Sequence, residues 1–189
     1  MRALLITLLF STLVFAYKDA FFMGVYQSIQ DGEGTSDDYD HTIESRENQN
    51  GFRLGWDKNS DETQLAKTRY ELAYEKRALE YSLGGAKTEA DGWRLSGSIG
   101  WGYNVDWLLT HEIVPFVRLG AGMGRFDDIG RGTDMTLGIG MVYTTRRFEI
   151  LAGVDREFWQ LSGTKFPFRN FVENDLVIHN FHAGVNIRF

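Results

Sequence analysis

The residues that could do chemistry are few, and none of them stands in a known catalytic or metal-binding motif. The chain has four histidines and no cysteine, which excludes a thiol nucleophile and a thiolate metal site. The acidic residues Asp37, Asp38 and Asp40 offer oxygen atoms to Ca²⁺, but they lack the spacing of a calcium-binding loop, and a solvated acidic loop is the simpler interpretation. The stretch GAGMG opens no helix and is no phosphate-binding loop. We therefore predict no catalytic residue, no cofactor and no metal.

Charged residues form a larger set, and they recur at every second position of several segments. Side chains alternate between the two faces of a strand, so each such set shares one face. The residues concerned are Arg53, Arg69, Glu71, Arg94, Arg118, Glu149, Asp155 and Arg188, together with Asp57, Glu75 and Glu157. Buried charges are tolerated only when they are paired and hydrogen-bonded. Inside a barrel they predict an arginine–carboxylate network that plugs the lumen. A gated pore or proton path, or the solvated face of a soluble sheet, is the alternative.

Strands must position these residues, and the clearest strand ends the sequence. Its apolar face carries Phe181, Ala183, Val185, Ile187 and Phe189. Its other face is small and polar and includes His182, which we expect in a polar interior. This pattern resembles the C-terminal signal by which bacterial outer-membrane barrels are recognised and inserted. The resemblance implies two partners, the lipid bilayer of the outer membrane and the barrel-assembly machinery.

The N-terminus has the pattern of a secretory signal peptide. A positive start precedes an almost wholly apolar stretch from Ala3 to Phe15, and a small residue, Ala16, stands where a signal peptidase would read it. The apolar stretch is shorter than the roughly 20 residues that a membrane-spanning helix needs. We predict cleavage after Ala16, with a signal peptide over residues 1–16 and one barrel domain over residues 17–189. A buried first helix or an uncleaved anchor is the alternative.

The composition looks soluble, but it also fits a barrel in which only every second strand residue meets lipid. Charged residues are 24% of the chain, and the mean hydropathy is −0.29. The chain has 21 glycines but only 2 prolines, as expected where proline would leave a strand hydrogen bond unmade and glycine suits a crowded interior. The net charge of −6 without a basic cluster argues against nucleic-acid binding.

Eight alternating segments predict an all-β fold, an eight-stranded antiparallel up-and-down transmembrane β-barrel. The segments are about 20–29, 51–58, 67–79, 93–105, 115–126, 134–144, 148–159 and 175–189. The connections expected outside the cell are 30–50, 80–92, 127–133 and 160–174, and those expected in the periplasm are 59–64, 106–114 and 145–147. Residues 62–81 also fit a helical period. We favour a strand there, because its loss would leave an unpaired sheet edge in lipid.

The two faces differ in bulk, which predicts that the apolar face lies outside. Trp93, Trp101 and Leu137 share the apolar face, whereas glycine, serine and charged residues share the other. An eight-stranded barrel has room inside for little more than its own side chains. Aromatic residues near strand ends should form interfacial girdles. We expect the periplasmic girdle at Trp56, Tyr103, Trp107, Tyr143, Phe148 and Phe189, and the outer one at Tyr81, Trp93, Phe126 and Phe158.

Three segments carry a resemblance to a known family. PFVRLGAGMGRF, TLGIGMVYTTRRFEILAGVDREF and HNFHAGVNIRF resemble the last hairpins and the closing strand of the small eight-stranded outer-membrane barrels, the family of the outer membrane protein A transmembrane domain and the opacity-type proteins. The resemblance implies an exported, integral outer-membrane protein, a structural or surface-interaction scaffold with four exposed loops. Nothing in the sequence names a binding partner for the loops.

Two other functions remain open, a narrow porin-like channel for small solutes and, less expected, a lipid-modifying barrel enzyme. Barrels that resemble lipid A deacylases carry a serine two residues after a histidine. The residues at that offset from the four histidines of this chain are Ile43, Ile113, Phe181 and Gly184. No motif marks a Ser–His–carboxylate set either. We therefore predict that the protein is not an enzyme.

Overall fold

The computed structural model of the chain describes residues 19–36, 41–45, 49–59, 65–83, 86–108, 111–127, 129–145, 147–163 and 172–189. Ten strands lie in these ranges: β1 (Ala20–Ser36), β2 (His41–Ser45), β3 (Gln49–Asn59), β4 (Ala66–Leu83), β5 (Ala86–Tyr103), β6 (Val105–Leu108), β7 (His111–Phe126), β8 (Gly130–Thr144), β9 (Phe148–Gly163) and β10 (Val172–Arg188). Within the same ranges, no helix is long and apolar enough to cross a membrane. The predicted signal peptide with Ala16, and the acidic residues Asp37, Asp38 and Asp40, lie outside the described residues.

The strands form one closed, wholly antiparallel barrel. β3, β4 and β5 pair in chain order, β5 pairs with β7, and β7 to β10 again pair in chain order, while the short β6 pairs only with the start of β7. β2 and β3 share one place in the wall, because both pair with β1 on one side and with β4 on the other. The barrel closes where β1 meets β10, from Phe22 opposite Arg188 to Glu33 opposite Val177. The wall thus has eight positions, which confirms the predicted fold class.

The register shows how steeply the strands are inclined. A path along cross-strand partners starts at Phe21 on β1 and passes Trp56, Tyr70, Ile99, Leu119, Leu137, Arg156 and His179 in turn. The path returns to β1 at Asp31, ten residues beyond its start. Closing a barrel with this offset requires strands that tilt by roughly 40° from the barrel axis. Partners on successive strands therefore lie at successively greater heights.

The wall turns its apolar side chains outward. Leu137, near the middle of β8, is 51% exposed, and the other large apolar side chains of alternate wall positions are exposed in the same way. The inward positions hold glycine, polar and charged residues, such as Arg53, which is 1% exposed. The apolar outer face suits an apolar surrounding. Because the barrel is closed, no unpaired strand edge is exposed to that surrounding. The predicted assignment of the two faces is confirmed.

Apolar clusters fill parts of the lumen, which the sequence analysis did not anticipate. We call the end at which β4 turns into β5 the upper end, and the end that holds Ala20 and Phe189 the lower end. The upper cluster comprises Leu79, Ala90, Phe126, Ile129, Trp159, Leu161, Leu176 and Ile178. The lower cluster comprises Val114, Phe116, Val142 and Leu151. Both occupy inward positions, so the interior of this barrel is not polar throughout.

The strands extend further at the upper end than the alternation predicted. The expected loop 80–92 is a tight hairpin, since β4 and β5 remain paired as far as Leu83 opposite Ala86. The expected loop 127–133 is shorter, because β8 already begins at Gly130, whose φ of 143° suits glycine. Much of 30–50 is strand in β1 and β2, much of 160–174 is strand in β9 and β10, and 106–114 is largely the β6–β7 hairpin. The helical alternative for residues 62–81 is wrong over the described part, which is β4.

Two aromatic residues of the expected outer girdle are inside the barrel. Phe126 is 1% exposed and belongs to the upper cluster, and Tyr81 packs against that cluster. Both predictions were wrong because the strands continue above the apolar band, where inward positions were mistaken for outward ones. Trp93 and Phe158 lie on the exterior, as predicted. So do Trp56, Tyr103, Phe148 and Phe189, whereas Tyr143 is half-buried and nothing is described of the side chain of Trp107.

Candidate functional site: a charged network in the lumen

Charged and polar side chains from every wall position meet in the lumen, below the upper apolar cluster and beside the lower one. Alternation brings them inward, because each stands an even number of residues from its inward neighbours on the same strand. The charged members are Arg53, Asp57, Arg69, Glu71, Glu75, Arg77, Arg94, Arg118, Asp134, Glu149, Asp155, Glu157 and Arg188. Their contacts fall into a lower, a middle and an upper tier.

The lower tier joins β3, β4, β9 and β10. Arg69 crosses the lumen, and its Nη2 lies 2.5 Å from Oε1 of Glu149. Nη1 of Arg69 lies 3.4 Å from Oδ1 of Asp57, and Nη2 of Arg188 lies 3.6 Å from the other oxygen of Asp57. The side-chain amide of Asn186 donates to Oε1 of Glu149 at 2.5 Å. Four wall strands are thereby linked through two carboxylates.

Arg118 is the centre of the middle tier. Its Nε donates to Oδ1 of Asp155 at 2.7 Å, and its Nη2 donates to Oδ2 of the same carboxylate. This two-point geometry is the strongest form of an arginine–carboxylate pair. Nη1 of Arg118 donates to Glu71 at 3.2 Å, and Arg53 lies 4.0 Å from the other oxygen of Glu71. Nδ1 of His182 is 3.3 Å from Oδ2 of Asp155.

The upper tier is built on Arg94 and Arg77. Arg94 donates to both oxygens of Asp134, at 2.5 Å from Nη2 and 2.9 Å from Nε. Its Nη1 lies 3.2 Å from Oε1 of Glu157, the atom to which Arg77 donates at 2.8 Å. Arg77 also donates to Glu75. Each arginine thus bridges two carboxylates, so the tier is a connected network rather than a set of separate pairs.

Neutral side chains donate further hydrogen bonds to the carboxylates of the upper tier. The hydroxyl of Tyr26 donates to Oε2 of Glu75 at 2.6 Å, and the indole N–H of Trp159 donates to Oε2 of Glu157 at 2.9 Å. Trp159 also belongs to the upper apolar cluster. Its ring lies 5.5 Å from the guanidinium carbon of Arg77, within the range of a cation–π contact. Trp159 therefore fixes the boundary between the network and the apolar seal above it.

Close packing in the network explains one glycine of β8. A Cβ atom at Gly138 would overlap a carboxylate oxygen of Asp155, and it would lie 3.0 Å from Cγ of Arg118. Only a residue without a side chain leaves room for the Arg118–Asp155 pair at this position. At Gly138 the absence of a side chain is therefore a requirement of the ion pair that it faces.

The free space inside the network is small. One cavity of about 20 Å³ lies among side chains that include Arg53, Arg118, Asn180 and His182. Nη2 of Arg53, Oδ1 of Asn180 and both ring nitrogens of His182 are buried without a hydrogen-bond partner. A void of this size with several polar partners suits one water molecule. It does not form a continuous path for a solute.

The structure places all eight predicted lumen residues in this network, and each of them takes part in at least one ion pair. Arg77 and Asp134 were missed, although both continue the alternation of their strands. Tyr26 and Trp159 were also missed, although both continue the inward alternation of their strands. Nothing in one sequence shows which arginine pairs with which carboxylate across the lumen.

The predicted assembly-signal residues lie in β10 or directly after it. Phe181, Ala183, Val185, Ile187 and Phe189 are all exposed on the outer face, and Phe189 is 63% exposed. The backbone N–H of Phe189 donates to the carbonyl oxygen of Phe21 at 2.9 Å, and the two rings lie 6.2 Å apart. The terminal aromatic residue therefore lies at the lower end of the seam that closes the barrel.

The histidines are not gathered into a site. His182 is in the lumen, while His179 is exposed on the outer face, in register with Arg156 and Asp31. His111 stacks on Tyr143, whose hydroxyl is 2.8 Å from Nδ1 of the imidazole. Nothing is described of the side chain of His41. In the ranges that the structure covers, no three His, Cys, Asp or Glu side chains are grouped as metal ligands.

Comparison with solved structures identifies the architecture. Neisserial surface protein A shares 16% identity with this chain at a TM-score of 0.54, over 90% of this chain and 99% of that one. The chain has the fold of the small eight-stranded outer-membrane barrels. OprG from Pseudomonas aeruginosa matches with a TM-score of 0.52 at 12% identity, over 91% and 96% of the two chains. The attachment invasion locus protein Ail of Yersinia pestis matches with a TM-score of 0.51 at 16% identity, over 90% and 97%.

These likenesses confirm the fold that the sequence resemblance implied. At such low identity they carry no function, because one fold hosts many functions. No family model matches the chain, and no curated protein matches it.

Proposed function

We propose that the protein is an integral protein of the bacterial outer membrane whose barrel is a closed anchor for an exposed interaction surface. The proposal includes export by the signal peptide of residues 1–16 and insertion through the barrel-assembly machinery, for which the closing strand supplies the signal. The observation that carries it is the combination of an apolar exterior with a lumen filled by salt bridges. The first feature suits lipid, and the second suits a barrel that transports nothing.

The exterior supports the membrane location. Most outward residues are apolar between Phe148 and Phe189 at the lower end and Trp93 and Phe158 at the upper end, and Gln27 and Arg156 are exceptions. Membrane barrels carry an apolar band about 25 Å tall between two aromatic girdles. The lower end corresponds to the periplasmic side, since outer-membrane barrels extend further beyond the apolar band on the outer side, and β4 and β5 extend beyond Trp93 at the upper end as far as Leu83 opposite Ala86. In this chain β8 and β9 are joined at that end by a short turn, in which the N–H of Thr145 donates to the carbonyl oxygen of Phe148 at 2.8 Å.

The lumen argues against a channel. The three tiers contain six arginines and seven carboxylates, so the two signs are nearly equal in number. Ion-selective pores instead line a passage with rings of one sign or with carbonyl oxygens. Here the charges neutralise each other, and the upper apolar cluster seals the end of the network above them. A porin-like channel would require at least Arg94 and Arg118 to leave their partners.

The upper end offers the interaction surface. β4 and β5 continue as a paired hairpin beyond Trp93, and outward residues change there to Asp91, Glu89 and Lys87. Lys87 donates to Glu80 on this surface at 2.6 Å. The upper apolar cluster supports the hairpin from inside the barrel. The protein therefore presents a rigid polar wall above the membrane, and the chemistry of its partner is left unspecified.

Measuring conductance across a planar bilayer distinguishes a closed anchor from a channel. We expect the purified, refolded barrel to insert without discrete current steps, in the wild type and in Arg94→Gln or Arg118→Gln alike. As a matched control for an open lumen, Phe126→Ala with Trp159→Ala removes the upper seal and should raise the leak current. Discrete steps in the wild type that disappear in Arg94→Gln or Arg118→Gln would contradict the anchor and support the channel.

Surface crosslinking on intact cells tests the interaction role. Residues 37–40 and 164–171 are replaced by glycine–serine linkers, and the heat-dependent gel mobility of each variant reports whether the barrel has formed. We expect the variants to keep the barrel and to lose crosslinks that the wild type makes. Crosslinks unchanged by either replacement would refute a contact role for residues 37–40 and 164–171.

A further inference from the structure

Three cations and a tryptophan form one row on the outer surface, near the upper end of the wall. Lys76 on β4 pairs in register with Trp93 on β5, Trp93 pairs with Arg125 on β7, and Arg125 pairs with Arg131 on β8. All four side chains point outward, and the three cations are exposed. We call this set the cationic row. Its members are far apart in sequence, so no basic cluster is visible in the chain.

The cationic row has no internal counter-charge. Arg125 and Arg131 are directly opposite each other on neighbouring strands, an arrangement that destabilises a sheet when nothing neutralises it. In the part of the chain that the structure describes, no ion pair joins the three cations to a carboxylate. The nearest acidic residues on the same face, Asp91 and Asp127, stand two residues further up their strands. An external anion is the partner that the row lacks.

The height of the row identifies where such an anion would be. Two residues below Lys76, Trp93 and Arg125 on their strands stand the exposed apolar residues Tyr74, Leu95 and Met123. Lys76, Trp93 and Arg125 therefore lie directly above the apolar band, and Arg131 lies higher, with Thr133 between it and the apolar Met135. Trp93 is 36% exposed and belongs to the upper girdle, where indole rings prefer the level of lipid headgroups. Because the strands are tilted, each cross-strand partner lies higher than the one before it. The row therefore rises from Lys76 to Arg131 and spans a range of headgroup depths.

We propose that the cationic row binds the phosphate groups of a phosphorylated glycolipid headgroup in the outer leaflet, through Lys76, Arg125 and Arg131. This inference rests on the outer-membrane location in the proposed function. Guanidinium groups match phosphate oxygens with two parallel hydrogen bonds. Trp93 lies between Lys76 and Arg125 and packs against the sugar and acyl junction of the same lipid. The row lies on an open wall and cannot enclose a free anion. A lipid is held beside it by acyl chains that lie along the apolar band.

The test compares two double variants with the same change in net charge. Arg125→Gln with Arg131→Gln removes two of the three charges of the row, and Lys58→Gln with Arg147→Gln removes two exposed cations near the lower end of the wall. Each barrel is incorporated into phosphatidylcholine vesicles, and the affinity for added diphosphorylated lipid A is measured by titration. One cation near an anionic headgroup contributes about 1 kcal/mol, or about fivefold in affinity. We expect the row variant to bind about 25-fold more weakly and the lower-end variant to bind as the wild type does.

Two further measurements distinguish a lipid phosphate from free phosphate. Lipid A without its phosphates should bind the wild type at least as weakly as diphosphorylated lipid A binds the row variant, because the row variant keeps Lys76. Inorganic phosphate at the lipid concentration should not compete. Equal lipid A affinity in the wild type and the row variant would overturn the inference, and so would full competition by inorganic phosphate. A wild type that fails to enter vesicles, with no heat-dependent gel shift, would instead overturn the proposed membrane location.

Discussion

Replacing Arg118 by methionine tests whether the network stabilises the barrel. Methionine keeps much of the length of the side chain and removes its charge and all its hydrogen bonds. Asp155 then loses both guanidinium contacts and keeps His182 at 3.3 Å. Glu71 loses the contact at 3.2 Å and keeps Arg69 at 3.7 Å and Arg53 at 4.0 Å.

The magnitude follows from the burial of these groups. Removing one partner from a buried ion pair costs about 3–5 kcal/mol, because the remaining charge is left uncompensated. The pair with Asp155 has two-point geometry, whereas the loss at Glu71 is partly compensated by two other arginines. We therefore expect the free energy of unfolding of Arg118→Met to fall by about 3–5 kcal/mol.

Urea unfolding of the refolded barrel in phosphatidylcholine vesicles, followed by tryptophan fluorescence, measures this loss. Arg156→Met is the matched control, since Arg156 is exposed on the outer face and, among the described residues, makes a cation–π contact with Phe158, 5.2 Å from the ring, and no ion pair. It should cost less than about 1 kcal/mol. The double variant Arg118→Met with Asp155→Leu removes both charges and should recover most of the loss, as apolar replacements of whole buried pairs do.

The energetic reasoning has two ways to fail. The free energy of unfolding of Arg118→Met could lie within about 1 kcal/mol of the wild-type value, a cost typical of exposed pairs. In that case the lumen is wet enough for water to replace the guanidinium. If the double variant is no more stable than the single one, the loss comes from packing rather than from an uncompensated carboxylate.

Three further outcomes can be checked with the same barrel. Leu137→Arg should cost about 2–4 kcal/mol in vesicle unfolding, because the residue faces the bilayer near its midplane, whereas Thr133→Arg, higher on the same face of β8, should cost less; equal costs would contradict the proposed membrane depth. Gly138→Ala should destabilise by about 1–3 kcal/mol through overlap with Asp155, and a neutral result would show that the Arg118–Asp155 pair can shift at little cost. Deletion of Phe189 should lower the amount of heat-modifiable barrel in outer-membrane fractions, and undiminished levels would refute its role in insertion.

The sequence predicted the wall well because lipid imposes a simple rule on it. Outward positions of β8, such as Leu137, had to be apolar and inward positions small or polar, so period-two alternation located strands and faces together. This rule applies only to the part of the wall that contacts lipid. Above Trp93 the outward residues of β5 are charged, the alternation disappears, and strand pairing that continues to Ala86 could not be distinguished from a loop.

The lumen was predictable in composition but not in connectivity. Inward charges on alternate positions pointed to an ion-pair network, yet the partners of Arg94 come from β8 and β9, at distances set by the register and tilt of the barrel. The upper apolar cluster was missed for a related reason. Phe126 was expected in the outer girdle, and Leu79 was the last residue of a predicted strand and had no assigned face. The lumen changes from polar to apolar with height in the barrel, and this change cannot be seen in the sequence of a single strand.

The seam between β1 and β10 has a consequence for the order of events during folding. It pairs Phe22 with Arg188, two of the most distant positions along the described chain. Contacts of such high sequence separation form late and slowly. Until β10 arrives, β1 presents a long unpaired edge, which is the kind of surface that joins to other chains and aggregates. The intermediate therefore depends on protection from its surroundings, and the rate of appearance of the closed barrel should be limited by this last pairing rather than by the hairpins between neighbouring strands.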